Sequence, residues 1–235
     1  MVFMVICSAR NRPKVKICKL VVGGNGISSA DSLRSLGVVI DQSLSMRHHI
    51  SRTTRSCMFF LNWIRKIRPY LTVDATKTLV QCYVISRIDY CNSLLISLPK
   101  TQLSRLQMVM NIAARLIFKQ PRDSSVTELL RKLHWLKIED RIHFKVLCLT
   151  WQSLHKSGPS YISDLIKLYN PSRHLRSSDK LCLNVPKTRT AYGDRAFRHS
   201  APKLWNSIPI PIREQPSLAL FQNKLKTYFF RKSYC

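Results

Sequence analysis

Leu33-Arg34-Ser35-Leu36-Gly37-Val38-Val39-Ile40-Asp41, followed by Gln42 to Met46 and then Arg47-His48-His49-Ile50, is the stretch whose reading decides the fold. Val38, Val39 and Ile40 are β-branched and suit a pleated strand, while Gly37 marks a bend or a place where another backbone comes close. Asp41 and Ser43 break the strand pattern, and helical periodicity takes over from Met46. On spacing alone this is an ordinary strand entering a helix.

Upstream, Val2 to Cys7 and Val15 to Val22 read as strands separated by the basic turn Arg10-Asn11-Arg12-Pro13-Lys14, and Gly23-Gly24-Asn25-Gly26 closes a hairpin. No Lys-Ser or Lys-Thr follows these glycines and no helix opens there, so they make a turn and not a phosphate loop. Together with Leu36 to Ile40, residues 1–41 give one small sheet, too slight to bury a core without a partner layer.

Downstream the pattern is helical, so the fold class is mainly α with a small N-terminal β piece. Met46 to Pro69 carries Ile50, Thr54, Cys57, Leu61 and Ile64 near one face; Asp74 to Asn92 and Thr101 to Phe118 follow, and residues 46–120 are expected to form a helical bundle. Residues 121–169 are a helical extension. It opens at Ser125-x-x-Glu128, which has capping-box spacing, and continues through a helix from Ile138 to Leu154, apolar on a wide arc, to a short helix from Tyr161 to Tyr169. Residues 170–192, rich in Ser, Arg and Pro, read as a linker with one strand-like run, Leu181 to Val185. In residues 193–235 two helices are expected, Asp194 to Asn206 and Ser217 to Phe230, with Pro209, Pro211 and Pro216 excluding helix between them.

The 235 residues carry 39 Lys and Arg against 12 Asp and Glu, a net charge of +27, which points first to a polyanionic partner. The excess belongs to the whole body, because bases are interleaved with apolar helical positions and not gathered in a tail. Eight cysteines show no Cys-x-x-Cys pair and no Cys/His cluster at zinc spacing, so they read as reduced thiols in a nuclear or cytoplasmic protein. Met1 to Cys7 is too short for a signal segment, and no run approaches a membrane span.

Candidates for chemistry are few. Glu139-Asp140, the only adjacent acids, fall at a helix start where negative charge meets the helix dipole favourably. His48-His49 has no acid or Cys at ligand spacing, so no metal site is expected, and no catalytic residue is assigned. Trp63, Trp135, Trp151 and Trp205 could stack bases, but each lies on an apolar helical face and is expected to pack in the core. The basic residues are the better candidates. Arg52, Arg55, Arg65, Lys66 and Arg68 lie on the first helix, Arg115, Lys119 and Arg122 cluster at the end of the third, and Arg173, Arg176, Lys187 and Arg189 flank the linker strand; acids are too scarce to neutralise them, which favours phosphate contact.

Residues in a constant order along most of the chain carry a resemblance. Leu36-Gly37-Val38, Asp41 and His49-Ile50 are followed by Arg115-Leu116-Ile117, Pro121-Arg122-Asp123, Leu133-His134-Trp135-Leu136, Pro159-Ser160-Tyr161-Ile162, Arg173-His174-Leu175-Arg176, Tyr192-Gly193-Asp194-Arg195-Ala196-Phe197 and Leu204-Trp205-Asn206-Ser207. The chain resembles the C-terminal part of reverse transcriptases from non-LTR (LINE-type, jockey-superfamily) retrotransposons. That resemblance implies a palm-edge remnant over residues 1–45, with Leu36, Gly37 and Val38 as a primer-facing strand, then a thumb and a C-terminal extension. It also implies RNA and RNA/DNA duplex as partners, gripped without sequence preference. The parent activity is RNA-directed DNA synthesis, and its Mg²⁺ ions are held by a paired-Asp turn plus a further Asp. This sequence has no Asp-Asp dipeptide, so the catalytic palm is expected to lie before Met1 and the chain alone to have no polymerase activity and no cofactor. If Gly37 faces an absent primer, Gly37→Val leaves this chain's stability nearly unchanged; if Gly37 packs under the thumb-like helices, the added side chain overpacks the contact and costs about 1–3 kcal/mol. The alternative is a basic structural or assembly protein that binds RNA or an acidic partner and has no polymerase parent.

Overall fold

The computed structural model describes residues 2–7, 11, 19–170 and 181–234. Arg10, Arg12 to Cys18, Arg173, His174, Leu175, Arg176 and Cys235 lie outside the described residues, and with them part of the expected second strand and one block of the resemblance.

The fold is mainly α with a small N-terminal β piece, and the β piece is two antiparallel hairpins where one sheet was expected. Strands β1 (Lys19–Val22) and β2 (Asn25–Ser28) are joined by the turn at Gly23-Gly24, and β3 (Ser32–Ser35) pairs with β4 (Val38–Asp41). Residues 2–7 form no regular strand; Phe3 bridges Ser29, and Cys7 N–H donates to Gln42 O at 3.1 Å.

The expected strand through Leu36 to Ile40 is corrected at its start. Leu36 and Gly37 are the two-residue turn between β3 and β4, with φ 45° and 84°. Two positive φ values are the signature of a type I′ hairpin turn, which follows the strands' own twist and which glycine meets without strain. Leu36 is 88% exposed, while Val38 is in the core. A Cβ on Gly37 would lie 3.3 Å from Cε1 of Tyr90, whose hydroxyl donates to Leu36 O at 2.6 Å. The expectation that Gly37→Val is harmless therefore fails on both backbone conformation and space.

Asp41 turns the chain into the first helix. Its buried carboxylate accepts from the Ser43 N–H and hydroxyl, the Ser45 N–H and hydroxyl, and the Met46 N–H, at 2.6 to 3.1 Å. Burial alone would raise its pKa, but these hydrogen bonds outweigh it and hold the carboxyl below its ordinary value. Arg195, far along the sequence, donates to Leu44 O at 2.7 Å and so fastens the C-terminal part to this turn.

Helix α1 (Arg47–Ile67) packs on α4 (Lys100–Ile117) through Ile50, Cys57, Leu61 and Ile64. Between them run α2 (Val73–Val80), a π-helical turn over Gln81–Ile85 and α3 (Ser86–Asp89). The widened turn keeps Val84 and Ile85 in the core while Tyr83 stacks on Phe60 of α1, ring centroids 5.1 Å apart.

Helices α4, α5 (Val126–Lys132) and α6 (Ile138–Leu154) end alike. Residues Lys119, His134 and Lys156 adopt φ near 50°, and the N–H groups of Gln120, Trp135 and Ser157 return to carbonyls five residues back. This is the Schellman closure, with a side-chain-bearing residue at the position that favours Gly. The capping box expected at Ser125 does not form, since the Ser125 side chain makes no cap hydrogen bond; Thr72 and Thr190 do cap their helices.

Helix α6 is shared between two apolar clusters. Ile138, Ile142 and Val146 join the α1–α4 core, while Leu147, Cys148 and Trp151 join a second core of Leu183, Trp205, Phe221, Leu225 and Phe229. Helix α7 covers only Ser160–Ser163, one turn of the longer helix expected. The strand-like run near Leu183 is anchored, because the Leu183 N–H donates to Asn206 Oδ1 at 2.9 Å and Leu183 O accepts from Asn206 Nδ2 at 2.8 Å. Helices α8 (Ala191–Arg195) and α9 (Phe197–Ser207) follow. The single turn α10 (Ile210–Arg213) corrects the expectation of no helix there, since Pro211 falls in its first turn, where no N–H partner is needed. Helix α11 (Leu218–Tyr234) closes the second core, and its Tyr234 hydroxyl donates to Trp135 O at 2.7 Å.

Candidate nucleic-acid interface

The C-terminal ends of α1 and α4 meet side by side, and between them lies an open cleft of about 620 Å³. Arg65 and Arg68 line one wall, and Arg115, Lys119 and Arg122 the other. Residues assigned to two separate basic groups along the sequence thus form one site. Among the described residues no carboxylate lies within ion-pairing distance of any of the five; Arg131 pairs with Glu128, Arg141 with Asp89, and His199 Nε2 lies 3.9 Å from Asp194 Oδ1.

The five bases do not all serve the same purpose. Arg68 is 5% exposed and acts as a clamp: Nε donates to Leu116 O at 3.0 Å, Nη2 to Ile117 O at 2.6 Å and Nη1 to Leu71 O at 2.7 Å. Leu116 and Ile117 are the last residues of α4, and Leu71 lies just beyond α1. Leu116 O also accepts from the Lys119 N–H at 3.4 Å, but all three carbonyls take a donor from Arg68, which is thereby corrected from a phosphate contact to a structural residue whose charge still faces the cleft. Arg115 similarly holds the α4–α5 turn, with Nε and Nη2 donating to Ser124 O at 3.3 and 3.1 Å. Arg65, Lys119 and Arg122 are exposed and keep most of their donors for a ligand. Two helix C-termini point their negative dipole ends here, and Arg68 and Arg115 offset them from within. Helical spacing carried a signal for Arg68: Cys57, Leu61, Ile64 and Arg68 are consecutive members of one buried arc.

A second groove, of about 530 Å³, lies where the β3–β4 turn meets α1 and α3, lined by Arg34, Gly37, Arg52, Arg87 and Tyr90. It brings Gly37 beside the predicted Arg52 and adds Arg34 and Arg87, which periodicity did not single out. His49 lines it too; burial first, then the Arg52 charge, hold its pKa below the ordinary value, and its Nδ1 faces Val39 N–H at 3.5 Å. Arg55 and Lys66 are exposed on the outward face of α1 and line neither cavity. Lys187 and Arg189, exposed before α8, stand apart from both.

A two-metal site of the kind the resemblance implies does not fit the residues present. Asp140 accepts from the Ser233 hydroxyl at 2.6 Å, Glu139 sits beside it in the first turn of α6, and among the described residues no three His, Cys, Asp or Glu side chains gather. Burial pushes the Cys57 and Cys148 thiols up to about 11, as suits inert core residues. No described helix is long and apolar enough to cross a membrane. Comparison of the chain with protein-family models, with curated proteins and with solved structures finds no match.

Proposed function

We propose that this chain is a nucleic-acid-binding, thumb-like part of a LINE-type reverse transcriptase, gripping template RNA and primer and having no polymerase activity of its own. The observation that carries the binding reading is the cleft between α1 and α4, where Arg65, Lys119 and Arg122 pair with no described carboxylate around a positively charged floor of Arg68 and Arg115. A phosphate backbone matches it in charge and in tolerance, because contacts to phosphate position a duplex without reading its sequence. The family assignment rests on the ordered sequence blocks, and the groove at Gly37 gives a primer terminus a basic place to lie.

The test is a titration of the purified chain with RNA and RNA/DNA duplexes of unrelated sequence over a range of salt. Binding should be of similar strength on all sequences and weaken by orders of magnitude from low to physiological salt. Binding to one sequence alone, or none at low salt, overturns the proposal. Template-dependent nucleotide incorporation by the chain overturns its non-catalytic part.

A further inference from the structure

Three of the four tryptophans, Trp135, Trp151 and Trp205, are buried as their apolar faces lead one to expect, but Trp63 is 62% exposed. One turn earlier on the same side of α1, Phe59 is also 62% exposed. Phe59 meets Phe60 edge to face at 5.4 Å, Phe60 stacks on Tyr83 with planes 19° apart, and the Arg87 guanidinium covers Phe60 at 4.6 Å. The π-helical turn is what delivers Tyr83 to this surface, half exposed. Apolar rings left uncovered at this density call for an occupant.

Charge selects which. From Gln42 to Val73 the sequence contains no Asp or Glu, so α1 is wholly without acids, and Arg52, Arg55 and Arg87 lie exposed around the rings. A basic protein surface would be repelled here and a neutral one would cover the arginines without counter-charge; a strand offering unpaired bases to the rings and phosphates to the arginines does neither. Trp63 and Arg65 are two residues apart, about 200° round the helix, so this surface is separate from the α1–α4 cleft.

We propose that Phe59, Trp63 and Tyr83 form a stacking platform for unpaired nucleotides, with Arg52, Arg55 and Arg87 holding the adjoining phosphates. The inference deepens the nucleic-acid reading and rests on it: the cleft grips duplex by its backbone, and the platform takes a single-stranded segment by its base faces.

Because Trp63 is the one exposed indole, it reports its own occupancy. The full chain is titrated with a short oligouridylate, a blunt RNA duplex of the same length and inorganic polyphosphate, following tryptophan emission. The oligouridylate should quench, while polyphosphate, which has no bases, should bind without quenching. Trp63→Ala should weaken oligouridylate binding by about ten-fold, the worth of one base–aromatic stack, and leave duplex affinity within roughly two-fold. Trp63→Phe should restore most of the lost affinity, and Phe59→Ala should repeat the selective loss. Equal losses on single strand and duplex, or none on either, overturn the platform and assign the face to a protein partner, while the cleft reading stands. Failure of the unaltered chain to bind any nucleic acid removes both.

Discussion

Replacing Gly37 by Ala tests the turn on which the N-terminal part of the fold pivots. At φ 84° an L side chain costs about 1–2 kcal/mol. The new Cβ, 3.3 Å from Tyr90 Cε1, must also push the ring, disturbing the hydrogen bond from its hydroxyl to Leu36 O, worth about 0.5–1.5 kcal/mol. The sum is about 1.5–3.5 kcal/mol, a melting temperature lower by roughly 3–14 °C for a chain of this size. Differential scanning calorimetry of the purified variants measures it. Gly37→Asn should recover much of the backbone part, since Asn tolerates the left-handed region, but not the part due to Tyr90, and Gly37→Val should exceed the Ala cost because a β-branched side chain tolerates that region least. In a Tyr90→Ala background the Gly37→Ala cost should shrink to its backbone part. A Gly37→Ala melting point within about a degree of the unaltered chain would refute the turn geometry.

Leu36 holds the first position of the same turn at φ 45°, so Leu36→Asn, giving the favoured Asn-Gly pair, should raise the melting temperature by roughly 2–4 °C, about 1 kcal/mol. Arg68→Met should cost about 3 kcal/mol or more by chemical denaturation, because the carbonyls of Leu71 and Ile117 lose the Arg68 donor and Leu116 O is left with the Lys119 N–H. Asp41, its pKa held below the ordinary 3.8, contributes stability that is present above that value and lost as pH falls through the folded value; Asp41→Asn should be less stable at neutral pH and flatten the acid decline in melting temperature. Lys119→Gly relieves the left-handed residue at the end of α4, so thermal stability should hold or rise while duplex affinity falls.

The long amphipathic helices were legible because their apolar spacing survives any packing arrangement. Ile138 to Leu154 has the bounds its periodicity gives, and Met46 to Pro69 and Thr101 to Phe118 are close to theirs. What spacing did not show was where tertiary contacts override local signals. Leu36 gives no turn signal, yet it takes a positive φ because the hairpin and Tyr90 hold it there. Ser125 has capping spacing, but its side chain makes no cap hydrogen bond. Trp63 belongs to an apolar pattern in sequence, yet no described element covers that side of α1. The basic groups were legible as charge, and Arg65, Lys119 and Arg122 do share a cleft, but only the packing of α1 on α4 assigns Arg68 and Arg115 to holding it together.

The central claim is that Arg65, Lys119 and Arg122 contact phosphate, and the salt dependence of duplex binding tests it most directly. The logarithm of the binding constant for an RNA/DNA duplex is measured against the logarithm of salt concentration for the unaltered chain and for Arg65→Ala/Lys119→Ala/Arg122→Ala. Three lost phosphate contacts, at roughly 0.9 each, should make the variant's slope shallower by about 2.7, with an unchanged circular dichroism spectrum. A variant that binds with the original slope and affinity would contradict the claim.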